Sequence, residues 1–260
     1  MAETLPPKID MSQPNVARVY DYLLGGKDNF SSDRELAEQL LRIVPGMRES
    51  ARDNRAFVCA AVARAAEGGV TQFLDLGAGL PTHPATHEAA REINPDARVA
   101  YVDIDPVAVI HAQSLLAKGD GVTAFRADLT DPATVLARLD LAGMLDLSQP
   151  TGIIIAGVAH FVAADLMREL TAAYLARVPA GSWLIISVGH VEDESETTTL
   201  QPAYTAAETF HHSVADFTSF FAETDIVPPG IVEARRWIAG VSAPPPQHGV
   251  YVLTGAGIKR

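Results

Sequence analysis

Between residues 70 and 188 the chain repeats one unit: a short apolar run, a polar turn and a capped helical stretch. The apolar runs fall at 70–76, 99–103, 122–127, 152–158 and 183–188, and they are continuous rather than alternating. A strand that is apolar on both faces must be covered on both faces, as helices cover a parallel sheet. Helices are predicted at 84–92, from Asp105-Pro106 to about 118, from Asp131-Pro132 onward, and at 164–177. Each Asp-Pro pair supplies an N-cap acid and a proline at the first helical position, where its missing N–H is harmless. The pattern predicts an α/β chain around a mostly parallel sheet.

The flanks differ. Residues 1–13 are polar and proline-bearing and read as a loose arm. A short helix is predicted from Asn15 to Leu24, stopped by Gly25-Gly26. Ser32-Asp33-Arg34-Glu35 reads as a capping box for a helix to about Ile43. Ser50-Ala51-Arg52-Asp53 reads as the start of a long alanine-rich helix ending at Gly68-Gly69. The expected organisation is a helical cap over 1–65 followed by one domain over 66–260. At the far end Ser213 caps a helix to about Glu223. Strands are expected at 231–238 and 249–254, joined by a turn at Pro244-Pro245-Pro246. Strands so closely joined must be antiparallel.

Strand ends carry the chemistry. The first closes with Asp75-Leu76-Gly77-Ala78-Gly79, where two glycines let a ligand approach the backbone and the next helix points its N-terminus at the loop. Asp75 is placed to hold that loop or to meet a ligand ammonium. The second strand closes with Asp103-Ile104-Asp105. An acid at this position accepts both ribose hydroxyls of a nucleoside, and Asp103 is preferred because Asp105 serves as an N-cap. The third closes with Asp128-Leu129, where a carboxylate can accept an adenine amino group. Three acids at three successive strand ends predict a nucleoside site. A dinucleotide fingerprint needs a third glycine where Thr82 stands, and no phosphate-loop motif occurs. A sulfonium nucleoside fits better.

Two segments resemble a known family. They are Ala17-Arg18-Val19-Tyr20-Asp21-Tyr22-Leu23-Leu24-Gly25-Gly26-Lys27-Asp28-Asn29-Phe30 and Phe73-Leu74-Asp75-Leu76-Gly77-Ala78-Gly79-Leu80-Pro81-Thr82, supported by Asn54-Arg55-Ala56-Phe57, His160-Phe161 and Pro229-Gly230. The chain resembles a bacterial group of S-adenosyl methyltransferases, formerly a domain of unknown function. The resemblance implies a class I, Rossmann-like methyltransferase fold: a mostly parallel seven-stranded sheet with a terminal antiparallel pair, plus the N-terminal helical cap. It implies S-adenosyl-L-methionine as cofactor, with Asp75, Gly77, Ala78 and Gly79 in the cofactor loop. Asp103 with Ile104 falls at the ribose position, and Asp128 with Leu129 at the adenine. Around Phe210-His211-His212-Ser213 the chain departs from the family, which tends to have an arginine there. The resemblance does not supply the methyl acceptor.

The acceptor side is less legible. Methyl transfer needs alignment and at most one proton removal, so few groups are obligatory. His160, after the fourth strand, is the candidate base, and His190, after the fifth, is a weaker one. His83 and His87 read as capping or packing residues. No metal site is expected, since adjacent residues such as His211-His212 do not converge easily on one ion. Tyr20, Tyr22, Gly25, Gly26, Lys27 and Asp28 are expected to form a lid that shapes the acceptor pocket. The loop after the fourth strand lacks the Asn/Asp-Pro-Pro-aromatic element of enzymes that methylate amino groups of nucleic-acid bases, and the single cysteine, Cys59, reads as a small buried apolar residue. A formal net charge of −12 with no basic run disfavours nucleic acid. These features favour a small-molecule or a protein acceptor, and a small molecule is expected. No signal-peptide pattern and no window of ~18 apolar residues occurs, which predicts a cytoplasmic chain without a membrane span. Two rivals stay open: a nicotinamide-dependent oxidoreductase, and a non-catalytic protein that keeps the cofactor fold.

Overall fold

The computed structural model describes residues 10–115, 120–191, 203–240 and 250–260. In chain order the elements are α1 (Val16–Leu24), α2 (Ser31–Ile43), α3 (Met47–Glu67), β1 (Gln72–Leu76), α4 (Thr86–Arg91) and β2 (Arg98–Asp103). Next come α5 (Pro106–Leu115), β3 (Val122–Arg126), α6 (Pro132–Ala142), β4 (Gly152–Ala156), a 3-10 turn (Ala159–Phe161), α7 (Ala164–Leu175) and β5 (Trp183–Val191). The chain closes with α8 (Val214–Ser219), β6 (Thr224–Ile226), β7 (Val232–Glu233), α9 (Ala234–Ala239) and β8 (Val250–Lys259).

The strands form one sheet of order β3-β2-β1-β4-β5-β8-β6, with β7 also on β8. Pairings among β1 to β5 are all parallel. β8 runs antiparallel to β5 on one side and to β6 and β7 on the other. The expected mostly parallel sheet with a terminal antiparallel element is present, the two-residue β7 making an eighth strand. Strand order reverses between β1 and β4, and at such a reversal the carboxyl ends of the strands leave a crevice for a ligand.

Alternate side chains on each strand enter opposite cores. Leu74, Leu76, Ile153, Ile155, Leu184 and Ile186 pack towards α6, α7 and the phenylalanines of the α8 region. Phe73, Val99, Tyr101, Ile154 and Ile185 pack towards α3 and Trp237. A third cluster joins Val19, Leu23, Leu36, Leu40 and Ala51 to Ala203 and Tyr204. α1 and α2 are fastened by a buried ion pair, Arg18 Nε to Asp33 Oδ2 at 2.8 Å.

Several local expectations change. α2 starts at Ser31, because Asp33 reaches back to the Phe30 N–H at 2.8 Å as an N3 acid, while Ser32 Oγ donates to Met11 O. α3 starts at Met47, and Ser50 N already donates to Gly46 O inside the helix. The run 231–238 is a strand only at Val232–Glu233 and then turns helical. Helical spacing puts Ala234 and Trp237 on one buried face, and the Trp237 ring meets Phe57 edge-on at 5.1 Å. β5 runs on to Val191, so His190 lies within the strand rather than after it. Cys59 is half-buried, with Sγ 3.7 Å from Pro84 O. The proline turn at 244–246, the α5 end near 118 and residues 1–9 of the arm lie outside the described residues.

Candidate active site

The loop after β1 folds back across the end of β2. Gly77 N and Ala78 N both donate to Val102 O, at 2.8 and 3.1 Å. Gly77 (φ +74°) and Gly79 (φ +65°) hold left-handed conformations that favour glycine. A Cβ on Gly77 would stand 2.7 Å from Val158 Cγ1, so the loop lies against the end of β4.

The strand-end acids differ in their engagement. Asp103 accepts the Gly79 N–H on Oδ2 at 2.7 Å and the Asp105 N–H on Oδ1 at 2.8 Å. Burial pushes its carboxyl above the usual range, and the two backbone N–H groups oppose that. Asp105 caps α5 by accepting Val107 N at 2.7 Å, the structural duty expected of it. Ile104 beside it is 58% exposed, an apolar side chain left open at the strand end. Asp75 is buried and takes the Thr86 hydroxyl at 2.7 Å, and burial raises its carboxyl as well. Asp128 is exposed and accepts both the N–H and the hydroxyl of Thr130, while Leu129 O receives the Tyr174 hydroxyl at 2.7 Å. Ala127 N donates to Asp103 O, which sets Asp128 just beyond the same rim.

The N-terminal segment adjoins this rim. A Cβ on Gly79 would stand 3.8 Å from Ala17 Cβ on α1. Asp28 Oδ2 lies 3.8 Å from His111 Nδ1 on α5. Gly25 (φ +86°) is the left-handed cap of α1, and a side chain on Gly26 would collide with the Asp21 carboxylate. That carboxylate accepts Asp28 N and Asn29 Nδ2, so the turn is built around it. Tyr20 points inward: its hydroxyl donates to Ala51 O and accepts Asn54 Nδ2 at 2.9 Å. Tyr22 points elsewhere, to Glu38 at 2.7 Å with Arg48 over its ring. Lys27 is exposed.

Histidines gather at the ends of β4 and β5. His190 Nδ1 faces His212 O, His211 Nε2 faces Val191 O, and His212 Nε2 faces Ala159 O. A carbonyl only accepts, so each of these nitrogens carries the proton. His160 Nδ1 is buried without a hydrogen-bond partner. Among the described residues, a Cβ on Gly189 would come within 4 Å of this nitrogen alone, at 3.9 Å. Burial, aided by His212, holds the His160 imidazole down at about 4. His83 Nδ1, exposed, lies 2.9 Å from Glu88 Oε2, and His87 Nδ1 lies 2.9 Å from the Tyr101 hydroxyl. Among the described residues there is no group of three or more His, Cys, Asp or Glu able to hold a metal ion, and no helix long and apolar enough to cross a membrane.

Sequence reasoning did not single out Asn54 or Arg55 as site residues. Asn54 Oδ1 is buried without a partner, and Arg55 lines a cleft beneath the loop with Asp75, Gly79 and Thr82. Only their place in a family-like segment hinted at them.

Comparison with known proteins agrees with this architecture. The family described as S-adenosyl methyltransferase matches residues 2–260. A crystal structure from Thermobifida fusca YX, of a protein with a provisional methyltransferase designation, is 36% identical over 96% of this chain and 97% of its own, with a TM-score of 0.87. A DUF574 family protein from Streptomyces avermitilis MA-4680 is 32% identical over 97% of this chain and 100% of its own, with a TM-score of 0.90. Magnesium protoporphyrin IX methyltransferase from Synechocystis PCC 6803, solved with S-adenosylhomocysteine, shares the fold at 12% identity, covering 93% of each chain with a TM-score of 0.53. A search of curated proteins gives no match. The chain belongs to the S-adenosyl methyltransferase family, enzymes that take S-adenosylmethionine as cofactor.

Proposed function

We propose that this methyltransferase holds its cofactor at the rim formed by the 77–79 loop, Asp103, Ile104, Asp128 and Leu129, and acts in the cytoplasm on a small-molecule acceptor. The observation that carries the reading is the Asp103 carboxylate, anchored by Gly79 N–H at 2.7 Å beside an exposed Ile104. Each Asp103 oxygen accepts one backbone N–H and keeps a lone pair for a ribose hydroxyl. Ile104 offers an apolar face to an adenine ring. Asp128, exposed and just beyond, can take the adenine amino group. The residues fit S-adenosylmethionine: two left-handed glycines in the loop, an acid with spare acceptor capacity, and a buried amide oxygen unmatched among the described residues at Asn54.

When bound, S-adenosylmethionine supplies an electrophilic methyl group. The chain's part is to align the acceptor, exclude water and, where needed, take a proton. His160 suits the last duty through a buried Nδ1 that has no hydrogen-bond partner among the described residues and lies beside Gly189. α1, α2 and the stretch around Tyr204 form the cap, with Ala17 beside Gly79 and Asp28 near His111. In this reading Tyr20, Gly25, Gly26, Lys27 and Asp28 belong to the lid, and Tyr22 fastens it from outside. Net charge −12 and the missing Asn/Asp-Pro-Pro-aromatic element support a small acceptor over nucleic acid.

Calorimetry with S-adenosylhomocysteine and with NAD tests the cofactor site. Binding of the first alone is the expected outcome, and NAD binding would overturn it. Turnover across a panel of small hydroxyl, amine and thiol acceptors tests the reaction.

A further inference from the structure

Two neighbouring side chains on α3 hold polar capacity that the described residues leave unused. Asn54 is 4% exposed, and its Oδ1 has no hydrogen-bond partner. The Tyr20 hydroxyl spends its proton on Ala51 O, so it can only accept from Asn54. That fixes the amide: Nδ2 faces the tyrosine oxygen and Oδ1 faces away. A buried carbonyl oxygen left unmatched is costly, so this one calls for a donor from outside the chain. Asn54 also adjoins the end of β4. A Cβ on Gly157, at the end of β4, would lie 3.2 Å from Asn54 Nδ2, and the next residue, Val158, packs where Gly77 has no side chain.

Arg55 approaches the same loop from the α4 side. It lines the cleft with Asp75, Ala78, Gly79 and Thr82. Its Nε donates to Pro84 O at 2.8 Å, and Nη2 donates to the same carbonyl. The Nη1 edge makes no hydrogen bond or ion pair among the described residues. One neutral acceptor beside the end of β4 and one cation in the cleft of the β1 loop, contributed by consecutive residues, match a zwitterion.

We propose that Asn54 and Arg55 recognise the α-amino-acid end of the cofactor, Asn54 Oδ1 accepting from its ammonium and Arg55 pairing with its carboxylate. The assignment rests on the cofactor reading above. Asp75, expected from sequence to meet that ammonium, is instead committed to the Thr86 hydroxyl. Asn54 is neutral, so it can hold an ammonium without competing for Arg55.

The test compares two ligands by calorimetry on the full-length protein. S-adenosylhomocysteine has the amino-acid end, and 5′-methylthioadenosine keeps the nucleoside and sulfur without it. Asn54→Ala and Arg55→Gln should each weaken S-adenosylhomocysteine at least tenfold, the scale of a lost hydrogen bond to a charged group. Both should leave 5′-methylthioadenosine within about twofold of wild type. Tyr20→Phe, which frees the Asn54 amide to turn, should weaken S-adenosylhomocysteine less than Asn54→Ala does and leave 5′-methylthioadenosine within about twofold of wild type. Arg55→Lys, which restores the charge, should recover part of the loss. If Asn54→Ala does not fold, the near-isosteric Asn54→Leu takes its place. Equal weakening of both ligands, or unchanged S-adenosylhomocysteine affinity, would overturn the assignment. Wild-type protein that binds neither ligand would sink the cofactor reading itself, which keeps the two failures apart.

Discussion

The Asp103 carboxylate receives the Gly79 backbone N–H at 2.7 Å, so the acid at the end of β2 and the glycine loop after β1 form one unit. The contact joins the two signals that the sequence shows separately. A carboxylate here shapes the loop, and each of its oxygens has a lone pair beyond the backbone N–H it accepts.

Asp103→Ala should therefore weaken S-adenosylhomocysteine by about 1–3 kcal/mol, roughly 5- to 150-fold in affinity. Asp103→Asn is the sharper probe. Two backbone N–H groups point at the carboxylate, and one would face the new amide NH2. Asparagine should lose affinity although its shape is kept. Calorimetry measures both variants, and wild-type affinity in either would move the ribose contact to another residue.

The cap depends on a second acid. Asp33 is fully buried, pairs with Arg18 at 2.8 Å, and also accepts the Asn15 and Phe30 N–H groups. Asp33→Ala would leave Arg18 buried without its partner, a change that costs about 3–5 kcal/mol. Urea unfolding should show a loss of that size, and a loss under ~1 kcal/mol would mean water reaches the pair.

Much of this was legible because the residues act locally. Asp105-Pro106 and Asp131-Pro132 open helices wherever they occur, and the glycine loop needs its glycines whatever packs on it. The misses have a different cause. Short apolar runs do not distinguish strand from helix, so 231–238 became helical once Trp237 found Phe57. Ser32 looks like a cap by composition, but Asp33 answers to Phe30, Asn15 and Arg18 together, and the last two come from α1 and its cap. Asn54 is one asparagine in an ordinary amphipathic helix. Its importance arises from Tyr20 and Gly157, which lie far from it along the chain.

Closure of the cap over the cofactor has a direct signature. Amide hydrogen exchange across residues 17–29 should slow when S-adenosylhomocysteine binds, because Ala17 adjoins Gly79 and Asp28 adjoins His111. Protection confined to the 77–79 loop and the ends of β2 and β3 would mean the segment is a fixed buttress rather than a lid. Deleting residues 1–30 is a blunter test, since it also uncovers Leu36 and Leu40 in the third core.

The buried imidazole of His160 ties stability to acid. Its unfolded value is 6.5 and its folded value is held at about 4 by burial and His212. The unfolded chain gains a proton near pH 6.5 that the native chain refuses until about pH 4, so this contribution is intact above 6.5 and fades as pH falls towards 4. Its ceiling is about 3 kcal/mol, and the partial exposure of the residue lowers it. Asp75 and Asp103 act in the opposite sense, since burial makes each take up a proton in the native chain before the unfolded one does. The difference between wild type and His160→Phe isolates the histidine. Urea titrations from pH 7 to 4 should show the variant losing less stability over that range than wild type, and parallel losses would show that the imidazole is solvated. The same value bears on catalysis. If His160 takes the acceptor's proton, the acid limb of its kcat/KM profile belongs near pH 4, and a limb near 6.5 would assign the base to another group.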